Sequence, residues 1–469
     1  MRSARVPRWV WLVLVGVHVL ALSWAMRTGN WAFPDSERYL QAASNLQLHG
    51  ELYARPWSGK QPLGREVQEF TIRPVGYPAL VRALGATANQ PGLLLVMQNM
   101  LSLLNIGVVL GWWARRARPK AWDWVVALLA VLSFPAQFIY ANAVMSEVPL
   151  QAAVVATAGF GLCFISTRKQ HYLAGAAGAI VLAFLLKPVF YPIAVGVAGV
   201  GIGMASRWRR GSLAVVGLVP GLVAVGYMEW NEQRTGYFHF SSIAEINLLH
   251  YNAAGVVRQV DGPVAEAQWV AGVLREADAQ PGFAARQRLI QARAGAVVWA
   301  HPGVYAWQHL QGMGALFLDP GRFDLAQFLR LDAPPGGGLL AQVRTGGLWQ
   351  ALQHLPRGLL GGMGAVLLAN AARLVLAARG FRRLRSGGST LRHGRWLVAG
   401  LLLYVALLTG PLGAARFLVP VWPLLLGLGL AGWRGEYRFV SDAQQPPPVC
   451  KDEREDGTEN GSGEVSHAA

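Results

Sequence analysis

Residues 92–120 read GLLLVMQNMLSLLNIGVVLGWWARRARPK, and this stretch decides the fold. A helix needs about 20 apolar residues to cross a bilayer core of about 30 Å, and residues 92–113 supply them. The run is followed by four positive charges, which are Arg115, Arg116, Arg118 and Lys120. Lys and Arg gather in the short loops on the cytoplasmic side of membrane helices. The stretch therefore predicts a membrane-spanning helix that ends at the cytoplasmic face.

The composition of the whole chain indicates a polytopic membrane protein. Of the 469 residues, 53% are hydrophobic and only 14% are charged, with a mean hydropathy of +0.31. A soluble globular protein has about a quarter of its residues charged. These values exclude a soluble enzyme, a fibrous chain and a mostly disordered chain.

The net charge of +17 could suggest a nucleic-acid-binding protein. The basic residues lie in short clusters between apolar runs, as expected for cytoplasmic loops, so we expect no nucleic-acid partner. The two cysteines are far apart, with Cys163 inside an apolar run and Cys450 near the C-terminus. This placement argues against a disulfide framework and against a cysteine metal site.

The alternation of apolar runs and basic clusters predicts an all-α fold with about ten crossings, in a range of roughly nine to thirteen. The first run carries no small-residue cleavage site and is interpreted as an uncleaved crossing rather than a secretory signal. With the basic clusters inside, both termini are predicted to be cytoplasmic. The predicted crossings are residues 9–26, 92–113, 122–140, 149–165, 172–186, 189–204, 213–230, 358–378, 396–411 and 417–433.

Three predicted outer segments are too long to be turns, namely residues 27–91, 231–302 and 321–357. Long loops in compact structures are usually functional, and we expect them to carry short surface helices, in particular over residues 265–300. Residues 299–318 are predicted to form an interfacial or partly embedded outer helix, and residues 334–338 a flexible break. Residues 1–440 are thus predicted to form one membrane domain. Residues 441–469 are predicted to be a disordered acidic cytoplasmic tail.

The first outer segment contains Phe33-Pro34-Asp35-Ser36-Glu37-Arg38-Tyr39 directly after the first crossing. Asp35 is well placed as the N-cap of a helix. A carboxylate at the membrane surface is also well placed as a catalytic group, and a capping residue is already fixed in position. The sequence leaves both roles open.

Four further charged residues are candidates for the same outer face. Arg73 lies in Thr71-Ile72-Arg73-Pro74-Val75-Gly76-Tyr77-Pro78, where the prolines predict a rigid, extended approach to the membrane. It is either an interfacial residue of this turn or a ligand of a lipid headgroup or sugar. Glu147 follows Ser146, a candidate N-cap, in a short outer hairpin, where an acid is costly unless it faces water or a cavity.

Lys187 and Arg416 are the other two cations at this depth. Lys187, before Pro188, is either a snorkelling lysine or a phosphate ligand. Arg416 opens the last crossing in Arg416-Phe417-Leu418-Val419-Pro420, and arginine is suited to bidentate phosphate contacts.

Two acids and three cations fit a reaction on a lipid-linked phosphate. Phosphate is a stabilised leaving group, so cations suffice to hold the departing charge. The acceptor needs a base to remove its proton, and each of two outer loops offers a carboxylate. The sequence contains no HExxH motif and no Walker-type glycine loop that would indicate a metalloprotease or an ATPase.

In order and type, these motifs resemble the polyprenyl-phosphate-dependent membrane glycosyltransferases of the GT-C class, in particular the protein O-mannosyltransferase and lipid A aminoarabinose transferase group. His301-Pro302-Gly303-Val304-Tyr305 is also similar to an outer helix of that group. The family often has a second carboxylate immediately beside the first-loop aspartate, whereas here Ser36 separates Asp35 from Glu37. The large soluble C-terminal domain of some relatives is absent from this sequence.

The resemblance implies an inverting hexosyl- or pentosyltransferase in which Asp35 is the catalytic base and Glu147 supports the acceptor or a metal. Lys187 and Arg416, with Arg73, are then expected to hold the donor phosphate. Glu37, Arg38, Tyr39 and Tyr77 are expected to support the site. The resemblance implies no certain cofactor and leaves a divalent cation possible.

The expected partners are a polyprenyl-phosphate sugar donor, membrane lipids, and an acceptor that is a lipid, a glycan or a protein. The expected location is a bacterial inner membrane, with the site on the outer face. Two other functions stay open. A transporter or lipid flippase would carry inverted repeats and charged, broken helices near the midplane, and a non-catalytic membrane component would keep only the fold.

Overall fold

The computed structural model describes residues 5–331 and 357–434, and within these ranges every regular element is helical. The α-helices are α1 (Arg8–Thr28), α2 (Ser36–Leu48), α3 (Gly76–Ala83), α4 (Gly92–Ala117), α5 (Ala121–Leu132), α6 (Pro135–Ala141), α7 (Glu147–Thr167), α8 (Gln170–Leu186), α9 (Ile193–Trp208), α10 (Gly211–Thr235), α11 (Ile243–Asn247), α12 (Ala254–Asp261), α13 (Pro263–Asp278), α14 (Phe283–Ala300), α15 (Pro302–Leu318), α16 (Arg322–Leu329), α17 (Arg357–Arg383), α18 (Ser389–Thr409), α19 (Ala415–Leu418) and α20 (Trp422–Trp433).

Seven of these helical segments are long and apolar enough to cross a membrane, and an eighth span is formed if the bent pair α5 and α6 counts as one. Two shorter apolar helices, α8 and α20, coincide with two more of the predicted crossings. The prediction of an all-α, multi-pass membrane protein is therefore confirmed. Each predicted crossing falls on a helix, and the count of ten stays a prediction.

The break between α5 and α6 places the short turn that carries Glu147. The two helices bend by 60° at Phe134, which leaves the helical region with φ −119° and ψ 79°. Pro135 has no backbone N–H, so it ends the hydrogen-bond ladder of α5 and starts α6. The chain then runs through a buried turn, residues 142–146, before α7 begins. An acid at the start of α7 is thus held inside the protein rather than at its surface.

Buried polar side chains tie the spans together beside this turn. His18 of α1 contacts Ser102 Oγ of α4 at 2.8 Å, and Gln137 of α6 donates to the same oxygen at 2.7 Å. Gln151 of α7 donates to Gln137 at 2.8 Å and to the carbonyl of Val419 at 2.5 Å. Unpaired polar groups are costly in the membrane interior, so this chain of bonds fixes four helices relative to the segment that follows α19.

The outer segments carry short helices, as the sequence predicts. The first contributes α2 and α3, and residues 265–300 lie within α13 and α14. Residues 302–318 form α15, and its interfacial position stays a prediction. The flexible break at residues 334–338 and the acidic tail at residues 441–469 lie outside the described residues, so the division at residue 440 also stays a prediction.

Candidate functional site

The five charged residues that the sequence singles out meet in one cluster. Arg416 stands at its centre, because its Nη2 donates to Asp35 Oδ2 at 2.7 Å and its Nε donates to Glu147 Oε1 at 2.6 Å. Lys187 Nζ donates to the same Glu147 oxygen at 2.8 Å. Arg73 donates to the other oxygen of Asp35. We call these five residues the charge cluster.

Asp35 occupies the N-cap position of α2 but makes no side-chain capping bond. Its carboxylate instead faces Arg73 and Arg416, which favours a site role over a capping role. Burial alone would raise the pKa of Asp35, but the charges of Arg73 and Arg416 outweigh it and lower the pKa to about 2. Asp35 is therefore an ionised carboxylate that two guanidinium groups hold.

Ser36, the residue that departs from the family pattern, holds the first outer segment against the buried turn. Its hydroxyl accepts a bond from the Phe33 backbone N–H at 2.9 Å and donates to the Val144 carbonyl at 3.0 Å. Because Ser36 and Val144 are both fully or almost fully buried, this bond fixes Asp35 relative to Glu147. Nothing in the sequence indicates this role beyond a small polar residue beside an acid.

Glu147 is the most buried member of the charge cluster, with a side chain 0% exposed. The preceding Ser146 is at the N-cap position of α7 but makes no side-chain capping bond. Glu147 uses Oε1 for both Lys187 and Arg416, whereas its Oε2 is buried without a hydrogen-bond partner among the described residues. The carboxylate therefore fixes two cations and keeps one free acceptor.

Lys187 and Arg73 are brought to the charge cluster by a close approach of α3 to the end of α8. A Cβ on Gly76 would lie 2.6 Å from the Leu185 carbonyl oxygen, so glycine is needed there. Pro188 ends α8 after Lys187, whose ammonium group turns to buried Glu147 rather than to the surface. The contact disfavours a snorkelling lysine. The predicted extended approach is wrong, because residues 71–73 form a turn and bends, Val75 is already in the right-handed helical region, and α3 begins at Gly76.

Two of the four predicted supporting residues lie beside the charge cluster. The guanidinium group of Arg73 lies 5.0 Å from the centre of the Tyr39 ring, and Tyr39 packs edge-on against Tyr77 at 4.7 Å. The Tyr39 hydroxyl shares a hydrogen bond with Ser146 at 3.3 Å. The Tyr39 ring thus packs against Arg73, and Tyr77 packs against the Tyr39 ring.

The other two supporting residues point elsewhere. Arg38 pairs with buried Glu69 at 3.3 Å, where Arg55 also binds at 3.4 Å. Glu37 is exposed in the first turn of α2. The carboxylate that comes nearest in sequence to Asp35 is therefore not a member of the charge cluster.

Two acids near the charge cluster were not predicted from the sequence. Asp319 precedes α16 and Asp324 lies within it. Asp319 accepts the backbone N–H of Ala415 at 2.9 Å, directly before Arg416. Asp324 accepts a hydrogen bond from Tyr140, and burial raises its pKa to about 6, against the opposing effects of Tyr140 and Arg416. The only sequence signal was the turn-forming Asp319-Pro320-Gly321, which does not indicate its partner.

The donor set of the charge cluster does not fit a divalent cation. Its two carboxylates already bind three cationic side chains, which give the five residues a net charge of +1. Elsewhere in residues 5–331 and 357–434, no group of three or more His, Cys, Asp or Glu side chains is arranged to hold a metal ion. A positive cluster with two fixed carboxylates is instead suited to an anion and a group that loses a proton.

No protein-family model matches the chain, and no curated protein sequence matches it. Two crystal structures of ArnT from Cupriavidus metallidurans are similar to it, each covering 90% of this chain and 76% of that chain. The structure of ArnT bound to undecaprenyl phosphate is 16% identical with a TM-score of 0.35, and the apo structure is 13% identical with a TM-score of 0.34. Both neighbours come from the aminoarabinose transferase group that the motifs resemble.

Proposed function

We propose that the chain is a membrane glycosyltransferase that moves one sugar from a polyprenyl-phosphate carrier to an extracytoplasmic acceptor, with inversion at the anomeric carbon. The observation that carries this proposal is Arg416, which binds both Asp35 and Glu147 while Lys187 shares Glu147. Arg416 thus places an anion site directly beside a carboxylate. Transfer of a phosphate-linked sugar needs both near the anomeric carbon, because the anion site holds the leaving phosphate and the carboxylate takes the proton of the acceptor.

In this proposal Arg416 and Lys187 hold the donor phosphate, and Arg73 supports them. The acceptor oxygen or nitrogen attacks the anomeric carbon and forms the new bond. The bond from that carbon to the phosphate oxygen breaks, and its electron pair stays on the phosphate, whose charge the cations stabilise. Asp35 takes the proton of the acceptor. No step uses a metal.

The low pKa of Asp35 makes it a weak base as long as two arginines stabilise its charge. A donor phosphate would compete for the same guanidinium groups. As the arginines turn to the phosphate, Asp35 loses part of its stabilisation and its pKa rises. Donor binding would thus prepare the base, so that the carboxylate becomes reactive only when there is a sugar to transfer.

Three further parts of the proposal concern place and substrate. The arginine clusters between the spans favour cytoplasmic termini and a site on the outer face of a bacterial inner membrane. The lipid carrier is proposed to be undecaprenyl phosphate, which is the lipid bound in one of the similar ArnT structures, or another polyprenyl phosphate. The acceptor is proposed to be a lipid, a glycan or a protein of the cell envelope.

The test is transfer by the purified full-length chain. Wild type, Asp35→Asn and Glu37→Gln would be incubated with radiolabelled polyprenyl-phosphate sugars and bacterial membrane extract. Loss of a general base typically lowers a rate by about 10²- to 10⁴-fold, so Asp35→Asn should lose transfer by that factor. Glu37 is exposed on the same helix, so its variant should retain transfer.

Equal transfer by wild type and Asp35→Asn would contradict the assignment of the base. If the wild type transfers sugar from none of the donors, binding of the carrier alone would be measured on the same preparation. A wild type that binds no polyprenyl phosphate, in a preparation that is folded by thermal denaturation, would contradict the glycosyltransferase itself.

A further inference from the structure

An apolar cleft lies between α4, α7, α18 and α20. On α4, α7 and α18 it is lined mainly by the halves of the helices that are farther from the charge cluster, and on α20 by residues 423–428 in the first half of the helix. Its cavity volume is about 130 Å³, and it is partly open to its surroundings. Its walls include Trp112, Gly159, Leu162, Val398 and Gly427. Glycines at two of these positions leave room where side chains would otherwise fill the space between the helices.

The cleft lies toward the other end of the helix bundle from the charge cluster. Glu147 is the first residue of α7 and Leu162 lies in its last two turns. At 1.5 Å per residue, the two are about 22 Å apart along the helix. The cleft also lies next to Arg115, in the basic cluster that the sequence places in the cytoplasm.

Of the three arginines that line the cleft, Arg115 and Arg395 have no acidic partner among the described residues. Arg115 is exposed at the end of α4 and forms no ion pair there. Arg395 donates one Nη1 bond to the Phe381 carbonyl, and its guanidinium group lies 4.6 Å from the Phe381 ring centre. Its Nε is buried and has no hydrogen-bond partner. An apolar cleft thus ends in positive charge that this part of the chain does not neutralise.

We propose that this cleft binds an anionic phospholipid of the cytoplasmic leaflet, with its phosphate at Arg115 and Arg395 and an acyl chain along the apolar walls. The proposal is independent of the proposed transferase activity. Basic pockets between membrane helices on the cytoplasmic side are suited to anionic headgroups. The charge at the mouth favours this occupant over a neutral lipid, and the apolar walls favour a lipid over a free phosphate or an acidic peptide.

Trp112 provides the readout, because it lines the cleft. The full-length chain and a Trp112→Phe variant would be reconstituted in phosphatidylcholine vesicles that contain either brominated phosphatidylglycerol or brominated phosphatidylcholine. The difference in fluorescence between the two proteins isolates Trp112. We expect the anionic lipid to quench this signal at a lower mole fraction than the neutral lipid.

Two pairs of variants separate the headgroup from the acyl chain. Each arginine near the surface contributes about fivefold to anionic lipid binding, so Arg115→Gln with Arg395→Gln should lower the preference by roughly 25-fold. The matched control is Arg207→Gln with Arg210→Gln, at exposed positions outside the cleft. This variant should keep the preference for the anionic lipid. Gly159→Leu should reduce quenching by both lipids, whereas Gly400→Leu should not. At both glycines an added Cβ meets no atom within 4 Å, and Gly400 does not line the cleft.

Equal quenching by the two brominated lipids in the wild type would overturn the proposal. So would an equal loss of preference in the Arg207 and Arg210 control. Added polyprenyl phosphate should leave the quenching unchanged. If it displaced phosphatidylglycerol at equal concentration, the cleft would be a site for the carrier and the proposal would be wrong.

Discussion

Replacing Glu147 by Gln should tighten the binding of a phosphate to the charge cluster. Glu147 Oε1 lies 2.6 Å from Arg416 Nε and 2.8 Å from Lys187 Nζ. A phosphate that binds these two cations must share them with a negative charge. The substitution removes that charge and raises the net charge of the five residues from +1 to +2.

The size of the effect follows from Coulomb's law. An anion on Arg416 and Lys187 would lie about 5 Å from the Glu147 carboxylate, and two like charges at that distance repel by about 3 kcal/mol at an effective dielectric constant of 20. Partial exposure of Arg416 and looser positions of both cations reduce this gain. We therefore expect about 1.4 kcal/mol, a tenfold lower Kd. Loss of a buried ion-pair partner should also lower stability, by about 3–5 kcal/mol.

The assay is titration of undecaprenyl phosphate into the detergent-solubilised chain, with Glu69→Gln as the control. Glu69 is also a buried acid that two arginines contact, Arg38 and Arg55, but it is not part of the charge cluster. Its variant should be destabilised with an unchanged Kd. Weaker phosphate binding by Glu147→Gln, in a preparation that still melts cooperatively, would refute the view that Glu147 competes with the phosphate.

Two more changes test how the site is built. Gly76→Ala would place a Cβ 2.6 Å from the Leu185 carbonyl oxygen. We therefore expect the free energy of unfolding to fall by about 1–3 kcal/mol and the affinity for polyprenyl phosphate to fall as well. The control Gly92→Ala adds only an ordinary contact to Met26 and should change neither quantity. Asp324→Asn tests the pKa that burial raises to about 6: the wild-type carboxyl is protonated at low pH and becomes a buried charge as the pH rises through 6. The variant should therefore be more stable than wild type by about 1–3 kcal/mol at pH 7.5, and this difference should vanish near pH 4 in thermal denaturation. A difference that does not change with pH would contradict a titrating Asp324.

Much of the fold could be predicted because the bilayer demands a simple pattern. Apolar length and basic loops locate the spans, and the helices follow them. What the pattern does not encode is a break inside a span. The 60° bend between α5 and α6 and the separation of α19 from α20 depend on where prolines interrupt the backbone ladder, and a hydropathy window averages over them.

The charge cluster was predictable for a related reason. A charge at the end of an apolar run is conspicuous, so Asp35, Glu147, Lys187 and Arg416 stood out. Asp324 did not, because it lies in a polar segment where one more acid carries no signal. Ser36 and Gly76 act through a hydroxyl contact and a close backbone approach, and only coordinates reveal such contacts.

The order in which the charge cluster is synthesised has a consequence for insertion into the membrane. Asp35 and its partner Arg73 are 38 residues apart, and Glu147 and Lys187 are 40 residues apart, whereas Arg416 follows Asp35 by 381 residues. Each acid can therefore pair with a cation long before Arg416 is made. A ribosome that stalls before the final spans would release a chain whose two acids are already paired with Arg73 and Lys187 but lack the arginine that they share in the finished protein, so that this group of residues would carry a net charge of 0 instead of +1.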